Sequence, residues 1–318
     1  MAKAHSVKNR LISRFANRTA AVAVIGLGDV GLPLAVAFAR AGYAITGIDA
    51  DESRVAAINA GQSYASGVPA AQVAALVRAG RLRATSEFSV LRVCDAVSIC
   101  APTPPSQTCD PDLSFLIAAA DEVAACLHRG MLVVLESTTC PATAEEIIVP
   151  RIVSSGYRVG RDVFVAFSPE RVEPGRADWT IENTPKVLGG VTAECREVAQ
   201  ALYEGAVRRT VPVSSTAAAE MVKLLENTFR AVNVALVNEV LLTCDRLELN
   251  ACEIIEAAAT RPYEFMKFRP GPEAGGHCLA GGERVRYRWG AACGETTLEA
   301  LFSRASKRSE RTFVRRHL

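Results

Sequence analysis

One thiol closes an unusual stretch of this chain, Phe268-Arg269-Pro270-Gly271-Pro272-Glu273-Ala274-Gly275-Gly276-His277-Cys278. Paired glycines take left-handed dihedrals without a Cβ penalty and let main chain approach a ligand closely. Such a backbone can present the Cys278 sulfur to a substrate, where a thiolate adds to a carbonyl carbon and forms a covalent intermediate. Taken alone, a cysteine is a small apolar residue of the interior; its neighbours decide the reading. Lys223 and Asn227 lie four apart in a helical pattern, hence on one face, although most such pairs are ordinary surface residues. Thr138 and Glu170 each follow a short apolar run.

The elements that must position these groups start at Ala20-Ala21-Val22-Ala23-Val24-Ile25, a continuous apolar run of the kind found in strands buried on both faces. Gly26-Leu27-Gly28-Asp29-Val30-Gly31 follows, then a helical pattern to Gly42, a second strand Tyr43 to Ile48, and Asp49. In this context the first glycine turns the chain, the second admits a pyrophosphate and the third lets helix and strand pack closely. The helix N-terminus favours the anion. Asp49 can accept from ribose hydroxyls and would repel a 2′-phosphate, which favours NAD over NADP.

The alternation continues through strands Asp95 to Cys100, Met131 to Leu135 and Val163 to Phe167, with helices over Asp112 to His128 and Ala142 to Ile152. Loops carrying Thr103, Thr138 and Glu170 after successive strands mark the ligand-binding edge of a parallel sheet, although each polar residue taken singly can be a helix cap. Ala217 to Leu247 holds no glycine or proline, and a helix of that length suits an interdomain connector or a dimer seam. The fold expected is α/β, a doubly wound, Rossmann-like parallel sheet followed by a long helix and a small all-helical domain.

The composition is that of an ordinary soluble chain: 318 residues, 49% hydrophobic and 22% charged, with a net charge of +2. Near-neutrality argues against nucleic acid as a partner. Ten cysteines without a Cys-x-x-Cys pair suit neither a disulfide framework nor a metal site, so no metal and a cytoplasmic location are expected. Arg10, Arg14 and Arg18 ahead of the apolar stretch Ala20 to Ala39 imitate a signal or membrane segment, but Gly26, Gly28, Gly31, Asp29 and Pro33 within it suit a strand, a turn and a helix start. No membrane association is expected.

Taken together, Gly26 to Pro33, Pro102-Thr103-Pro104, Glu136-Ser137-Thr138-Thr139, Ser168 to Gly175, Ala219 to Thr228 and Gly275-Gly276-His277-Cys278 resemble the UDP-glucose/GDP-mannose dehydrogenase family. Within it they are most similar to the bacterial UDP-N-acetylglucosamine 6-dehydrogenase type, as in polysaccharide biosynthesis. The resemblance implies oxidation of a UDP-sugar alcohol to the acid by two hydride transfers, with NAD as cofactor. It implies that Cys278 carries a thiohemiacetal and then a thioester, that Lys223 and Asn227 stabilise oxyanions, and that Glu170 and Thr138 handle protons and orient a water. It assigns the sugar nucleotide to Glu170, Arg171, Glu173, Lys223 and Asn227. The cofactor falls to Gly26, Gly28, Val30, Gly31, Asp49, Arg54, Thr103 and Thr138.

Two departures stand out. Asp29 replaces the family's usual tyrosine, and Gly282 occupies the position of an aspartate four residues beyond the cysteine. Residues 279–318, with nine basic and four acidic residues, show no family pattern. They are expected to be an out-of-frame, poorly ordered tail in place of a third domain, with a basic tail for an anionic partner as the competing reading. The expected organisation is therefore an NAD-binding domain over 1–213, a helical dimerisation and catalytic domain over 214–278, and the divergent tail. A homodimer through the long helix and low or no activity are expected. Two other readings stay open: a single-step hydroxyacid dehydrogenase, which needs no thiol, and a non-catalytic NAD-binding dimerising fragment.

Overall fold

Alternate side chains of the first strand supply two separate apolar layers. Val22 and Val24 pack with Phe38, Tyr43 and Leu202, while Ala23 and Ile25 pack with Leu116, Val123 and Ile148. A strand covered on both faces cannot alternate apolar with polar residues, which is why the run reads as uninterrupted. Each aliphatic side chain buried this fully contributes about 1.5–3 kcal/mol.

The computed structural model describes residues 6–65, 67–104, 112–172 and 178–271. In chain order the elements are α1 (Val7–Ala16), β1 (Ala21–Ile25), α2 (Gly31–Arg40), β2 (Ala44–Ile48), α3 (Glu52–Asn59), α4 (Ala70–Arg78) and β3 (Leu82–Thr85). A 3-10 turn (Phe88–Val93) leads to β4 (Ala96–Ile99), α5 (Ser114–Ala125), β5 (Leu132–Leu135), a wide π turn (Ala144–Ile148), α6 (Val149–Ser154) and β6 (Phe164–Phe167). Then come β7 (Lys186–Gly190), α7 (Ala193–Tyr203), β8 (Thr210–Pro212), α8 (Thr216–Arg246) and α9 (Ala251–Ala258).

The strands form one sheet in the order β3-β2-β1-β4-β5-β6-β7-β8. From β3 to β6 every pairing is parallel, the doubly wound arrangement expected. The order reverses between β1 and β4, and in such sheets the crevice outside the carboxyl ends of the strands at this point receives ligands. β7 departs from the pattern. It runs antiparallel to β6, with Phe167 opposite Gly189, and β8 then pairs parallel to β7. Reversal brings the first residue of β7 to the carboxyl edge of the sheet.

The single helix expected over 142–152 is instead a π turn followed by α6. Pro150 has no N–H to give the Glu146 carbonyl and its ring crowds that oxygen, so the helical ladder shifts register upstream of it. The basic helix α1 buries Leu11 and Phe15. Just beyond it, Arg18 donates to the carbonyls of Phe15, Ala41 and Gly205 and to the Tyr43 hydroxyl.

Among the described residues, 6–103 and 112–223 form one compact unit, and 224–271 make up most of a second. Within the second, Asn238 exchanges hydrogen bonds of 2.9 and 3.0 Å with the main chain of Gly271, and Phe229 meets Phe268 edge to face at 5.8 Å. These contacts hold the described end of the chain on α8. No helix among the described residues is long and apolar enough to cross a membrane.

Candidate active site

The glycine turn closes tightly at its ends and stays open at its centre. Gly26 has φ +83°, and its N–H donates to the Ile48 carbonyl at 2.8 Å. A Cβ on Gly31 would lie 1.7 Å from the Gly26 carbonyl oxygen, whereas a Cβ on Gly28 would meet nothing nearer than Arg54 Nη1 at 3.9 Å. Val30 precedes α2 without a side-chain cap, and the first turn of this ten-residue helix holds no acid. An open cradle beside uncapped N–H groups fits a pyrophosphate. Asp29 is exposed.

Asp49 directly follows β2 and is buried. One carboxylate oxygen accepts from the Leu27 N–H at 2.7 Å, and the other from the Asp51 N–H at 2.9 Å. Arg54 approaches it at 3.4 Å and lies over the Tyr64 ring at 5.8 Å. The Tyr64 hydroxyl in turn donates to the Leu27 carbonyl at 2.7 Å. Tyr64 is thus part of the turn's frame, and nothing in its local sequence marks it. On the other side of the crevice, the Thr103 hydroxyl donates to the Thr138 carbonyl at 3.0 Å, joining the loops after β4 and β5.

Glu170 follows β6 and is buried, with one carboxylate oxygen accepting from the N–H groups of Arg171 at 2.8 Å and Val172 at 2.5 Å. Arg171 donates from its guanidinium to the Pro185 carbonyl at 2.7 Å. Lys223, near the start of α8, donates from its ammonium to the main-chain carbonyl of Glu170. Asn227, one turn further along the helix, is 1% exposed, and its amide nitrogen has no hydrogen-bond partner among the described residues. A buried donor without an acceptor is costly, so this amide suits an acceptor from beyond the described residues. Cys278, Glu173, the glycines Gly275 and Gly276, and the tail over 279–318 with Gly282 lie outside the described residues.

Beneath the same edge lies a buried cluster that the local sequence did not single out. Lys186, the first residue of β7, places its Nζ 2.6 Å from Glu136 Oε2, and the Tyr203 hydroxyl donates to Glu136 Oε1. A charged residue opening a short strand reads locally as surface; only the reversal of β7 carries it inward.

Residues 20–207 match the UDP-glucose/GDP-mannose dehydrogenase family, NAD binding domain, and residues 217–284 match the family's central domain, so the family pattern runs past Cys278 into the stretch read from sequence as divergent. The chain belongs to this family. Members to which it is similar include a UDP-N-acetyl-D-mannosamine dehydrogenase of Pyrococcus horikoshii, 38% identical over 259 residues, covering 81% of this chain and 62% of the relative. A UDP-N-acetyl-D-glucosamine 6-dehydrogenase of Pseudomonas aeruginosa is 36% identical over 260 residues, covering 81% and 60% respectively. The solved structure of the Pyrococcus horikoshii UDP-D-ManNAc dehydrogenase superposes with a TM-score of 0.84 at 36% identity, covering 91% of this chain and 68% of that one. The chain spans about three-fifths of the length of these two curated relatives. The family's first domain is an NAD-binding domain, and the cradle at Gly28 and the uncapped start of α2 fit that cofactor.

Glu220, one turn before Lys223, ties the root of α8 to the loop beyond Thr138. It is fully buried and accepts from the N–H groups of Ala142 at 2.5 Å and Ala144 at 3.0 Å. Burial raises its pKa from 4.5 to about 7, outweighing those two donors, and Glu145 and Glu146 add to the rise. An acid whose pKa rises on folding holds its proton more tightly in the native state, so stability falls as pH climbs from the unfolded value to the folded one. The loss is on the order of 3 kcal/mol. Glu220→Gln should remove it, so the difference in urea-unfolding free energy between variant and wild type should shift in the variant's favour by this amount from about pH 4 to about pH 8. A difference that stays flat with pH would refute the assignment.

Proposed function

We propose that this chain is the NAD-dependent dehydrogenase part of a UDP-N-acetylhexosamine 6-dehydrogenase, with its chemistry at the carboxyl edge of the sheet. The observation that carries the reading is the Lys223 ammonium reaching the Glu170 carbonyl, which sets a cation from α8 beside the loop after β6. The buried amide nitrogen of Asn227, without a partner among the described residues, supports a second donor for an oxyanion.

Gly26, Gly28, Val30 and Gly31 would hold the pyrophosphate, Asp49 and Arg54 the adenosine ribose, and Thr103 and Thr138 the far end of NAD, which when bound accepts a hydride from the sugar. Glu170, with Thr138 orienting a water, takes the proton of the sugar C6 hydroxyl as the alcohol becomes an aldehyde. Cys278 then adds to the aldehyde carbon, and the resulting thiohemiacetal, on losing its hydroxyl proton and giving a second hydride to a second molecule of NAD, becomes a thioester. Water attacks the thioester, the C–S bond breaks, and the acid leaves with the Cys278 thiol restored. Lys223 and Asn227 donate to the oxygen that carries negative charge at the addition and hydrolysis steps. Arg171 and Glu173 belong to the loop that contacts the nucleotide sugar.

Leu225, Phe229, Val232 and Leu236 are exposed at helical spacing on α8 and support a second copy of the chain as partner. The test of the reading is stoichiometry. Purified chain with UDP-N-acetylglucosamine and NAD should turn over slowly, with two NADH for each acid formed. One NADH with an aldehyde or ketone product would select the single-step reading, and NAD binding with no product would select the non-catalytic one.

A further inference from the structure

We propose that Lys186 is a positioning residue, a buried cation shared by Glu136 and Glu170 that keeps the Glu170 carboxylate charged and leaves one of its oxygens open. The inference deepens the proposed function, because it rests on Glu170 as the group that handles the substrate proton.

Antiparallel β7 starts where β6 ends, so its first side chain reaches both the residue after β5 and the loop after β6. Lys186 Nζ lies 2.6 Å from Glu136 Oε2, 3.2 Å from the Pro169 carbonyl and 3.6 Å from Glu170 Oε2. Lys186 is 4% exposed and Glu136 1%. Removing an ammonium this far from water is unfavourable unless close partners offset it. One carboxylate would complete a structural ion pair; this ammonium faces two.

The two carboxylates are used differently. Glu136 is saturated, with Lys186 on one oxygen and the Tyr203 hydroxyl on the other. Glu170 has one oxygen saturated by main-chain N–H groups, while its Oε2 is buried and without a hydrogen-bond partner among the described residues. Lys186 spends its hydrogen bonds on Glu136 and Pro169. It therefore acts on Oε2 through charge alone, which favours the ionised acid without occupying its lone pairs.

Of the other titratable groups here, Lys223 on the Glu170 carbonyl and Arg171 on the Pro185 carbonyl are further cations, while Tyr203 and Cys100 are neutral. Burial, reinforced by Glu136, pushes both the Tyr203 phenol and the Cys100 thiol well above their ordinary ranges. Burial also works against the Lys186 charge, but Glu136 and Glu170 outweigh it and hold the ammonium above its usual range.

The test compares Lys186→Met, Lys186→Arg, Glu136→Gln and the charge-matched double variant Glu136→Gln/Lys186→Met in full chain labelled with 13C-glutamate. The Glu170 carboxyl resonance is identified by its absence in Glu170→Gln, and circular dichroism checks the fold. The protonation midpoint of Glu170 should be higher in Lys186→Met than in wild type, and higher in the double variant than in Glu136→Gln, which differs from it only at the lysine; Lys186→Arg should return it most of the way. The double variant supplies the reading if Lys186→Met does not fold. A midpoint equal to wild type in folded Lys186→Met, or equal to Glu136→Gln in the folded double variant, overturns the proposal, whatever the assay of Glu170→Gln shows. A shifted midpoint with full sugar oxidation by Glu170→Gln would instead uphold the shared counter-ion and remove Glu170 from proton transfer.

Discussion

Gly31→Ala is expected to lower folding stability by about 3 kcal/mol or more and to abolish NAD binding. The new methyl carbon would sit 1.7 Å from the Gly26 carbonyl oxygen, 2.9 Å from its carbon and 3.3 Å from Cys100 Cβ. Two of those atoms are main chain and cannot rotate aside. Nor can the turn retreat, because the Gly26 N–H is bonded to the end of β2. Gly28→Ala is the matched contrast. Its methyl enters open space beside Arg54, so stability should stay within about 0.5 kcal/mol while NAD affinity falls about tenfold as the cradle fills. Urea unfolding and calorimetric titration with NAD read the two effects separately. A Gly31→Ala chain that folds and binds NAD normally would show that the turn does not constrain the cofactor.

Cys278→Ser is expected to lower acid formation by on the order of 10³-fold or more while leaving NAD affinity unchanged. A neutral serine hydroxyl with no base assigned to it adds poorly to an aldehyde, and without the adduct the second hydride has no source. Product analysis should therefore find aldehyde or unreacted sugar in place of acid. Under the single-step hydroxyacid reading the same substitution changes little, so unchanged turnover would remove the thioester from the mechanism.

The start of the fold was legible because each local signal agreed with the others: an apolar run, glycines at turn spacing, a helical pattern and an acid at the end of β2. Glu170, Thr138 and Lys223 could be picked out because strand ends and a long helix bring such groups to one edge. β3, β7 and β8 were not legible. β3 is a four-residue edge strand, β8 ends in a proline, and β7 starts with lysine and ends in two glycines, all of which argue against a strand by propensity. Lys186, Tyr203 and Tyr64 escaped for a related reason. Their partners lie 37 to 67 residues away, and no short-range pattern encodes a long-range hydrogen bond. The π turn escaped because apolar spacing reports which face is buried and carries little information about one extra residue per turn.

The match to the family's first domain begins at residue 20, but the physical domain begins earlier. Arg18, at φ +59°, clasps the end of α1, the α2–β2 corner and the segment after α7 through four acceptors. Phe15 beneath it is fully buried and stands edge-on to Tyr43 at 6.5 Å. A polypeptide trimmed to the homology boundary would lose that lid, leave the Tyr43 hydroxyl short of two partners, and lay bare an aromatic floor prone to self-adhesion. The helix ahead of the glycine turn is therefore a hem stitched to the sheet, and cutting at residue 20 would unpick it.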